Sequence, residues 1–427
     1  MKSYSPDFEK ALTVGRPPNI TRLFPNSKAL IVSGKYVDRA MIAKGKAVTI
    51  AANGRSTMVI RGTLLAAQRA NAAVIIEIAK SEGGADAYCA VNLWNIAGYV
   101  DKMCNELGIT VPVAVHADHY GIKNEKDLLR GEVEIPSLFD AGITSIAIDA
   151  SHLPDDQNLL TNIRMNRFVP SWSGLETEVG EIKGSQGLST PDEARFLIQG
   201  LNANDIFPDW IALNNGTTHG IEESDAGIQV ELTAAVHRAI EKYKVSGAQH
   251  GTSGNSSERL REITSKTNTT KANVATALQM ISWGVQVNDY GNALLDSNGN
   301  FLKIEDAGVT EELWTEMVAY ADAKQLKKGD YKKLNLPFEN RILGQAREIR
   351  DRMAKGVEDF VYDLLTKVFN AADTAPLAIE AILEKGSYDA GPKVERLDDP
   401  AEWTTENIMQ KAKALDSDKG PAGNFDD

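Results

Sequence analysis

The chain has 427 residues, with 46 Lys plus Arg against 59 Asp plus Glu, a formal net charge of −13. At roughly 100–200 residues per domain this length holds one large domain or two ordinary ones, and 42% hydrophobic with 25% charged residues suits a globular chain with a large core. The acidic balance argues against nucleic acid, where counterion release needs clustered Lys and Arg, and against an anionic membrane surface. It leaves room for an anionic substrate, which a few local donors can hold. Cys89 and Cys104 are the only cysteines, which rules out a disulfide framework or a Cys-based zinc knuckle and points to a reducing cytoplasm. The start, MKSYSPDFEK, is polar and predicts no secretory leader. No apolar run approaches the ~20 residues that span a bilayer.

Residues 1–45 read as an N-terminal extension with local helix, broken by GRPPN (15–19) and turned by FPNS (24–27). Short apolar runs then alternate with helix-like segments, the rhythm of a parallel α/β fold. The runs are AVTIAA (47–52), AAVIIEIA (72–79), VPVAVHAD (111–118), SIAIDA (145–150), GLETEVG (174–180), WIALNN (210–215), GAQHGTS (247–253) and GVQVNDY (284–290). Credible helices lie between them, among them VIRGTLLAAQRANA (59–72), GIQVELTAAVHRAIEKYK (227–244) and KANVATALQMISWG (271–284). Before the sixth run, Thr190, Pro191 and Glu193 form a capping-box start.

Eight βα units over about 250 residues predict a (β/α)8 barrel, an α/β TIM barrel with extra helices at both ends. The competing doubly wound sheet would want a Gly-rich first turn, and AANGRST carries one glycine and no GxGxxG. The expected layout is an extension at 1–45, a catalytic barrel at 46–295, a helical region at 296–415 packed on the barrel or on a partner subunit, and a disordered polar tail at 416–427.

Active sites of such barrels lie at the C-terminal strand ends. Five of the six histidines fall there: His116, His119, His152, His219 and His250. The sixth, His237, sits mid-helix and reads as a solvated surface residue. Imidazoles converging from different strands suit zinc, whose catalytic sites take three protein ligands and leave one position open. His119, His219 and His250 form that set, while His116 and His152 read as hydrogen-bonded structural residues. Asp118, next to a ligand candidate, is either a general acid/base or a carboxylate that orients an imidazole. Glu176 and Glu178 alternate on one strand face; a buried pair there binds metal, holds water or accepts a salt bridge. HGTSG (250–254), running into the helix that begins near SSERLREI (256–263), is an anion cradle.

The set HADH (116–119), SIAIDASHLP (145–154), LETEVG (175–180), NNGTTHG (214–220), HGTSG (250–254) and VN (287–288) resembles the class II, metal-dependent fructose-bisphosphate aldolases and their tagatose-bisphosphate relatives, over about residues 47–290. The resemblance implies a cytoplasmic lyase of carbohydrate metabolism (glycolysis), a homodimer or homotetramer, acting on a phosphorylated sugar with no nucleic-acid or membrane partner. It implies Zn2+, or another divalent metal, that polarises a ketose carbonyl and stabilises an enediolate. Carried over by motif, His119, His219 and His250 hold the metal, Glu178 lies near an alternative metal position, and Asp118 is the acid/base at the hydroxyl of the breaking bond. Gly220, Gly251, Ser253 and Asn288 meet the dihydroxyacetone-phosphate half, and Asn53 and Asp149 lie near the substrate.

Three stretches depart from the pattern. The family's acidic mobile loop reads GEIKGSQGLST (180–190), with Ser185 and Gln186 at the matching positions and Glu181 as the substitute proton carrier. The family's phosphate-side lysine reads Glu222 or Glu223. The family's Asn-x-Asp-Thr-Asp after the eighth strand is matched to Asn-Asp-Tyr-Gly-Asn (288–292). The alternatives are therefore an aldolase of the same mechanism on a different or less phosphorylated substrate, or a non-catalytic metal-binding homologue. A barrel hydrolase is disfavoured because the first strand carries no histidine.

Overall fold

A computed structural model of the chain describes residues 5–85, 87–180, 187–217, 227–288 and 291–415. The anticipated barrel is there. Eight parallel strands close in sequence order: β1 (Thr49–Asn53), β2 (Val74–Ala79), β3 (Val113–Gly121), β4 (Ser145–Asp149), β5 (Gly174–Val179), β6 (Trp210–Leu213), β7 (Ser246–Gln249) and β8 (Thr269–Val274). The strands are buried on both faces, which is why they read as continuous apolar runs rather than alternating ones. Among the described residues no helix is long and apolar enough to cross a membrane.

The eighth strand is not where the apolar pattern put it. TTKANV pairs in parallel with β1 (Thr49 with Lys271, Ala51 with Asn273) and with β7 (Ala248 with Lys271). Its Lys and Asn interrupt the apolar run, and the Ala-rich stretch that follows masked it as the start of a helix. That helix begins only at Thr276 and ends at Trp283, on a left-handed Gly284. Residues 285–288 and 291–303 instead carry a small antiparallel arrangement outside the barrel. The Gln286 N–H donates to Leu302 O, the Leu302 N–H to Leu294 O, and the Leu294 N–H to Gln286 O. Val285, Val287 and Leu295 make isolated antiparallel bridges there.

The N-terminal end of the barrel is plugged by the helix Gly34–Lys44, which packs across β1, β2, β3, β5 and β8. The approach is close enough to require glycine. A Cβ on Gly34 would lie 2.6 Å from Ser145 Oγ, and one on Gly174 would lie 3.0 Å from Gly34 Cα. Trp210 Nε1 donates to Thr270 Oγ1 (2.8 Å), whose hydroxyl donates to Asp38 Oδ1 on the plug (2.7 Å). Lys393, from the chain's C-terminal part, closes this end by donating to Asp38 Oδ2 (2.7 Å) and Ser246 Oγ (3.0 Å).

Helix Arg347–Asp363 lies outside the barrel against helix Thr57–Ala70, where a Cβ on Gly62 would meet Ala354 O at 2.4 Å. A second apolar cluster gathers Trp283, Phe301, Trp314, Tyr331 and Phe338, separate from the main core. The tail at 416–427 lies outside the described residues.

His237 is not a surface residue. It lies on the inward face of helix Val230–Ala239, 2% exposed, with Nδ1 accepting from the Asn268 N–H (3.1 Å). Its ring packs on Gly247, where a Cβ would come within 2.4 Å. A helix that covers a barrel buries one whole stripe, and polar residues on that stripe go in with it. Burial, with the nearby Lys46 charge, pushes the imidazole pKa down to about 4.

The sign follows directly. An unfolded imidazole takes a proton below about pH 6.5, whereas the folded one refuses it until about pH 4. The neutral ring therefore stabilises the fold fully above 6.5, and that contribution drains away as pH falls toward 4, by ~3 kcal/mol in all. His237→Gln keeps an acceptor for Asn268 but cannot titrate. Denaturant unfolding across this window should show the variant losing less stability on acidification than the parent; parallel curves would remove His237 as a source of acid sensitivity.

Candidate active site

The C-terminal strand ends carry a buried cluster of imidazoles and carboxylates. Strand alternation sends His116 and Asp118 inward from β3 and Glu176 and Glu178 inward from β5. Alternation alone would send His119 to the opposite face from Asp118. The register of β3 against β4 shifts between Ala117 and Tyr120, and His119 takes φ +40°. This bulge turns the His119 ring back into the cleft beside Asp118. A left-handed φ at a non-glycine residue is costly and recurs at functional positions.

His119 Nδ1 lies 3.3 Å from Asp149 Oδ2 and 3.0 Å from Glu178 Oε1. His250 Nε2 lies 2.8 Å from Glu176 Oε1. Both carboxylate contacts draw the ring proton onto the nitrogen that faces them. The two remaining nitrogens, His119 Nε2 and His250 Nδ1, face each other across 2.6 Å. Such a juxtaposition is satisfied by a shared cation. Asp118, His119 and His250 offer ligand atoms within 4.8 Å of one another, as do His119, Asp149 and Glu178. Two imidazoles, each backed by a carboxylate, with further carboxylates alongside, are the donor set of a borderline divalent metal, so the residues fit the group that the sequence implied.

Asp118 Oδ1 accepts from Asn273 Nδ2 at 2.9 Å. Burial opposes its ionisation, but His119, Lys271 and His250 outweigh that and hold its carboxyl below the ordinary range. Glu176 behaves alike: burial opposes, Lys271 and the His250 hydrogen bond prevail, and the carboxyl stays ionised. Glu178 goes the other way, pushed up by burial and by Asp149. His116 is held neutral, near pKa 3, by burial and by Lys271, with Nδ1 bonded to Ser145 Oγ at 2.8 Å.

Asn53 and the loop residues Gly251 and Ser253 line the same cleft as Asp118, His119 and His250. Gly251 takes φ +59°, which lets the loop turn from β7 toward helix Ser257–Lys266. Asp149 Oδ1 accepts from the Ser151 N–H and hydroxyl, which fixes Oδ2 on His119. His152, read as structural, is half-buried after β4. Glu181, His219 and Gly220, with Ser185, Gln186, Glu222 and Glu223, lie outside the described residues.

Asn288 does not end a barrel strand. It follows the helix after β8, and its Oδ1 accepts from the Asn292 N–H at 3.0 Å. With β8 at 269–274, the family's Asn-x-Asp-Thr-Asp stretch falls on Asn273-Val274-Ala275-Thr276-Ala277. The Asn and Thr are kept and both Asp are Ala.

Sequence reading missed three groups here. Lys271 and Glu77 are fully buried in the barrel beneath the cleft. Asn273, two residues after Lys271 and on the same face, reaches the cleft. The spacing Lys-x-Asn in a β-branched run was the available signal. Arg55 and Glu82 form a buried pair at the β1 and β2 ends, with Arg55 Nε and Nη2 on Glu82 Oε1 at 2.7 and 2.5 Å and Nη1 on Gln279 Oε1 at 3.1 Å.

Fold and site together define a (β/α)8 barrel protein with a buried imidazole–carboxylate centre at the strand C-termini. The class-II fructose-bisphosphate aldolase family profile matches residues 36–326, and the chain belongs to that family. It is 30% identical to the fructose-bisphosphate aldolase of Staphylococcus aureus (strain Mu50) over 166 residues, 37% of this chain and 52% of that protein. It is 28% identical to that of Mycoplasma pneumoniae over 182 residues, 42% and 58% of the two chains. The chain thus matches these curated relatives over little more than half of their length. The YdjI aldolase from Escherichia coli K12 shares the fold with a TM-score of 0.53 at 19% identity, covering 81% of this chain and 99% of that one. A fructose-bisphosphate aldolase from Campylobacter jejuni does so with a TM-score of 0.52 at 18% identity, covering 81% and 97%.

Arg55 supplies a stability test. Replacing one partner of a buried ion pair leaves the other charge uncompensated, at a cost of about 3–5 kcal/mol. Arg55→Met should lower the denaturant midpoint accordingly, and Arg55→Met/Glu82→Gln should recover most of the loss. Equal destabilisation of the single and double variants would mean that packing, not charge, is what Arg55 contributes.

Proposed function

We propose that the protein is a metal-dependent class II aldolase that reversibly cleaves a ketose phosphate such as fructose 1,6-bisphosphate into dihydroxyacetone phosphate and an aldehyde. The observation that carries this reading is the pair of imidazole nitrogens facing each other at 2.6 Å, each ring anchored on its far side by a carboxylate. Family membership supports the aldolase class.

His119 and His250, with His219 as third ligand and Glu178 near an alternative position, would hold zinc or another divalent metal. When bound, that ion supplies Lewis acidity toward the ketose carbonyl. The chain's own groups do the rest. Asp118, kept ionised in the cleft and oriented by Asn273, takes the proton of the hydroxyl whose carbon is released as the aldehyde. The electron pair of the broken bond stays on the other half, and Glu181 delivers a proton to it. Gly251 and Ser253, before the N-terminus of helix Ser257–Lys266, present backbone N–H groups to the phosphate, and Gly220 is assigned to the same half of the substrate. Asn53 and Asp149 position the sugar hydroxyls. Asn273 takes the role first given to Asn288. A cytoplasmic homodimer or homotetramer, built on a catalytic barrel at 46–295 and working in carbohydrate metabolism, completes the reading.

A second reading keeps the mechanism and changes the substrate. It is favoured by Glu222 and Glu223 in place of a phosphate-side lysine and by Ala275 and Ala277 in place of two aspartates.

The test is release of triose phosphate from fructose 1,6-bisphosphate by the zinc-loaded protein, with and without chelator. Chelator-sensitive release is expected. His119→Ala should abolish it with loss of zinc, and Asp118→Asn should cut kcat by about 10²-fold or more while zinc stays bound. Zinc binding without release from this substrate, but with cleavage of a less phosphorylated ketose, selects the second reading. Zinc binding with indifference to every ketose refutes the aldolase.

A further inference from the structure

Lys271 is a fully buried lysine surrounded by carboxylates. Its ammonium lies 2.8 Å from Glu176 Oε2, 3.2 Å from Glu77 Oε2 and 3.5 Å from Asp118 Oδ1. All four side chains are at most 5% exposed. Burying such a group is costly, and an apolar residue of like volume packs a barrel interior at least as well. Core packing therefore does not account for a lysine here.

The contact that stands apart is the one to Glu176. That carboxylate has both oxygens engaged, Oε2 on Lys271 at 2.8 Å and Oε1 on His250 Nε2 at 2.8 Å. Two anchors in different directions fix the plane of the carboxylate. A carboxylate whose plane is fixed also fixes the ring it accepts from. Among the described residues the other neighbours of Glu176 offer no equivalent hold: His116 Nε2 is 3.6 Å away, and Glu77 and Asp118 bring like charge.

We infer that Lys271 is a positioning residue for the metal site: by clamping Glu176 Oε2 it keeps Oε1 on His250 Nε2, and so keeps His250 Nδ1 turned toward His119. The inference rests on the metal-binding reading above and extends it from the ligands to the strand opposite. β8 supplies no ligand itself, yet through Lys271 it governs a ligand carried by β7. Asn273, one step further along the same face, orients Asp118 in parallel.

The test measures zinc affinity by competition with a chromogenic chelator, beside thermal unfolding of each variant. Lys271→Met, similar in length and uncharged, should weaken zinc binding by about 10–100-fold, the usual effect of losing a group that orients a ligand. Glu176→Gln should do the same. The discriminating measurement is the pair Lys271→Met/Glu176→Gln. If Lys271 acts through Glu176, the double variant binds zinc as Glu176→Gln does, within about twofold. A role in packing alone makes the two losses multiply, and that result, or wild-type affinity in Lys271→Met, overturns the proposal. Should Lys271→Met fail to fold, the double variant removes a cation and an anion together, and its comparison with Glu176→Gln decides the question alone. Wild-type protein that takes up no zinc is a separate outcome, one that removes the metal reading itself.

Discussion

Where two ring protons sit decides what the strand ends can do. Glu176 draws one onto His250 Nε2, and Asp149 with Glu178 draws the other onto His119 Nδ1. His119 Nε2 and His250 Nδ1 then face each other at 2.6 Å, a spacing that suits a shared proton or cation. The carboxylates that set this arrangement are buried, so their charge is weakly screened. Lys271 offsets part of the negative charge below the cleft but cannot reach the space between the imidazoles.

The barrel makes this arrangement affordable. Charged side chains come in from β2, β3, β5 and β8, and they are held across the barrel interior: Lys271 on β8 meets Glu77 on β2, Asp118 on β3 and Glu176 on β5. Closure is needed for this, because an open sheet would separate β8 from β5 and leave Lys271 without Glu176. The opposite end shows what the same scaffold does without a site. There the plug helix, Ser145, Trp210 and Gly174 meet at near-contact distance, and Asp38 is saturated by Thr270, Arg39 and Lys393. The polar cluster at that end is closed in by the plug helix, whereas the one at the strand C-termini lines a cleft.

Much of this was legible in the residues. The run-and-helix rhythm carried the barrel, and histidines at strand ends carried His119 and His250. What failed did so for physical reasons. β8 was missed because its inward face bears Lys271 and Asn273, so the strand that does the most electrostatic work has the weakest apolar signature. GVQVNDY looked more like a strand because its apolar residues pack on a satellite cluster around Trp283 instead of the barrel. His237 was misplaced because a histidine on a barrel-covering helix is indistinguishable in sequence from one on the outer face; only Gly247, small enough to accept the ring, records the difference. The bulge that turns His119 inward leaves no mark in HADH, where strict alternation would have separated Asp118 from its neighbour.

Moving β8 also relocates the divergence from the family pattern. Ala275 and Ala277 follow Asn273 directly, and Ala275 lines the cleft beside Arg55. Gln279, two residues beyond Ala277, accepts from both Arg55 and Asn335, so the helix after β8 is tied to the β1 end and to helix Asn335–Leu343. The imidazoles and carboxylates gather at the ends of β3, β5 and β7, whereas the β8–β1 side sets alanines next to a buried guanidinium. The two sides meet along the β7–β8 pairing, and Asn273 and Lys271 carry side-chain contacts between them, to Asp118 and Glu176. On β8 the two directions of influence part within three residues: Lys271 points to Glu176 and through it to His250, while Asn273 points to Asp118.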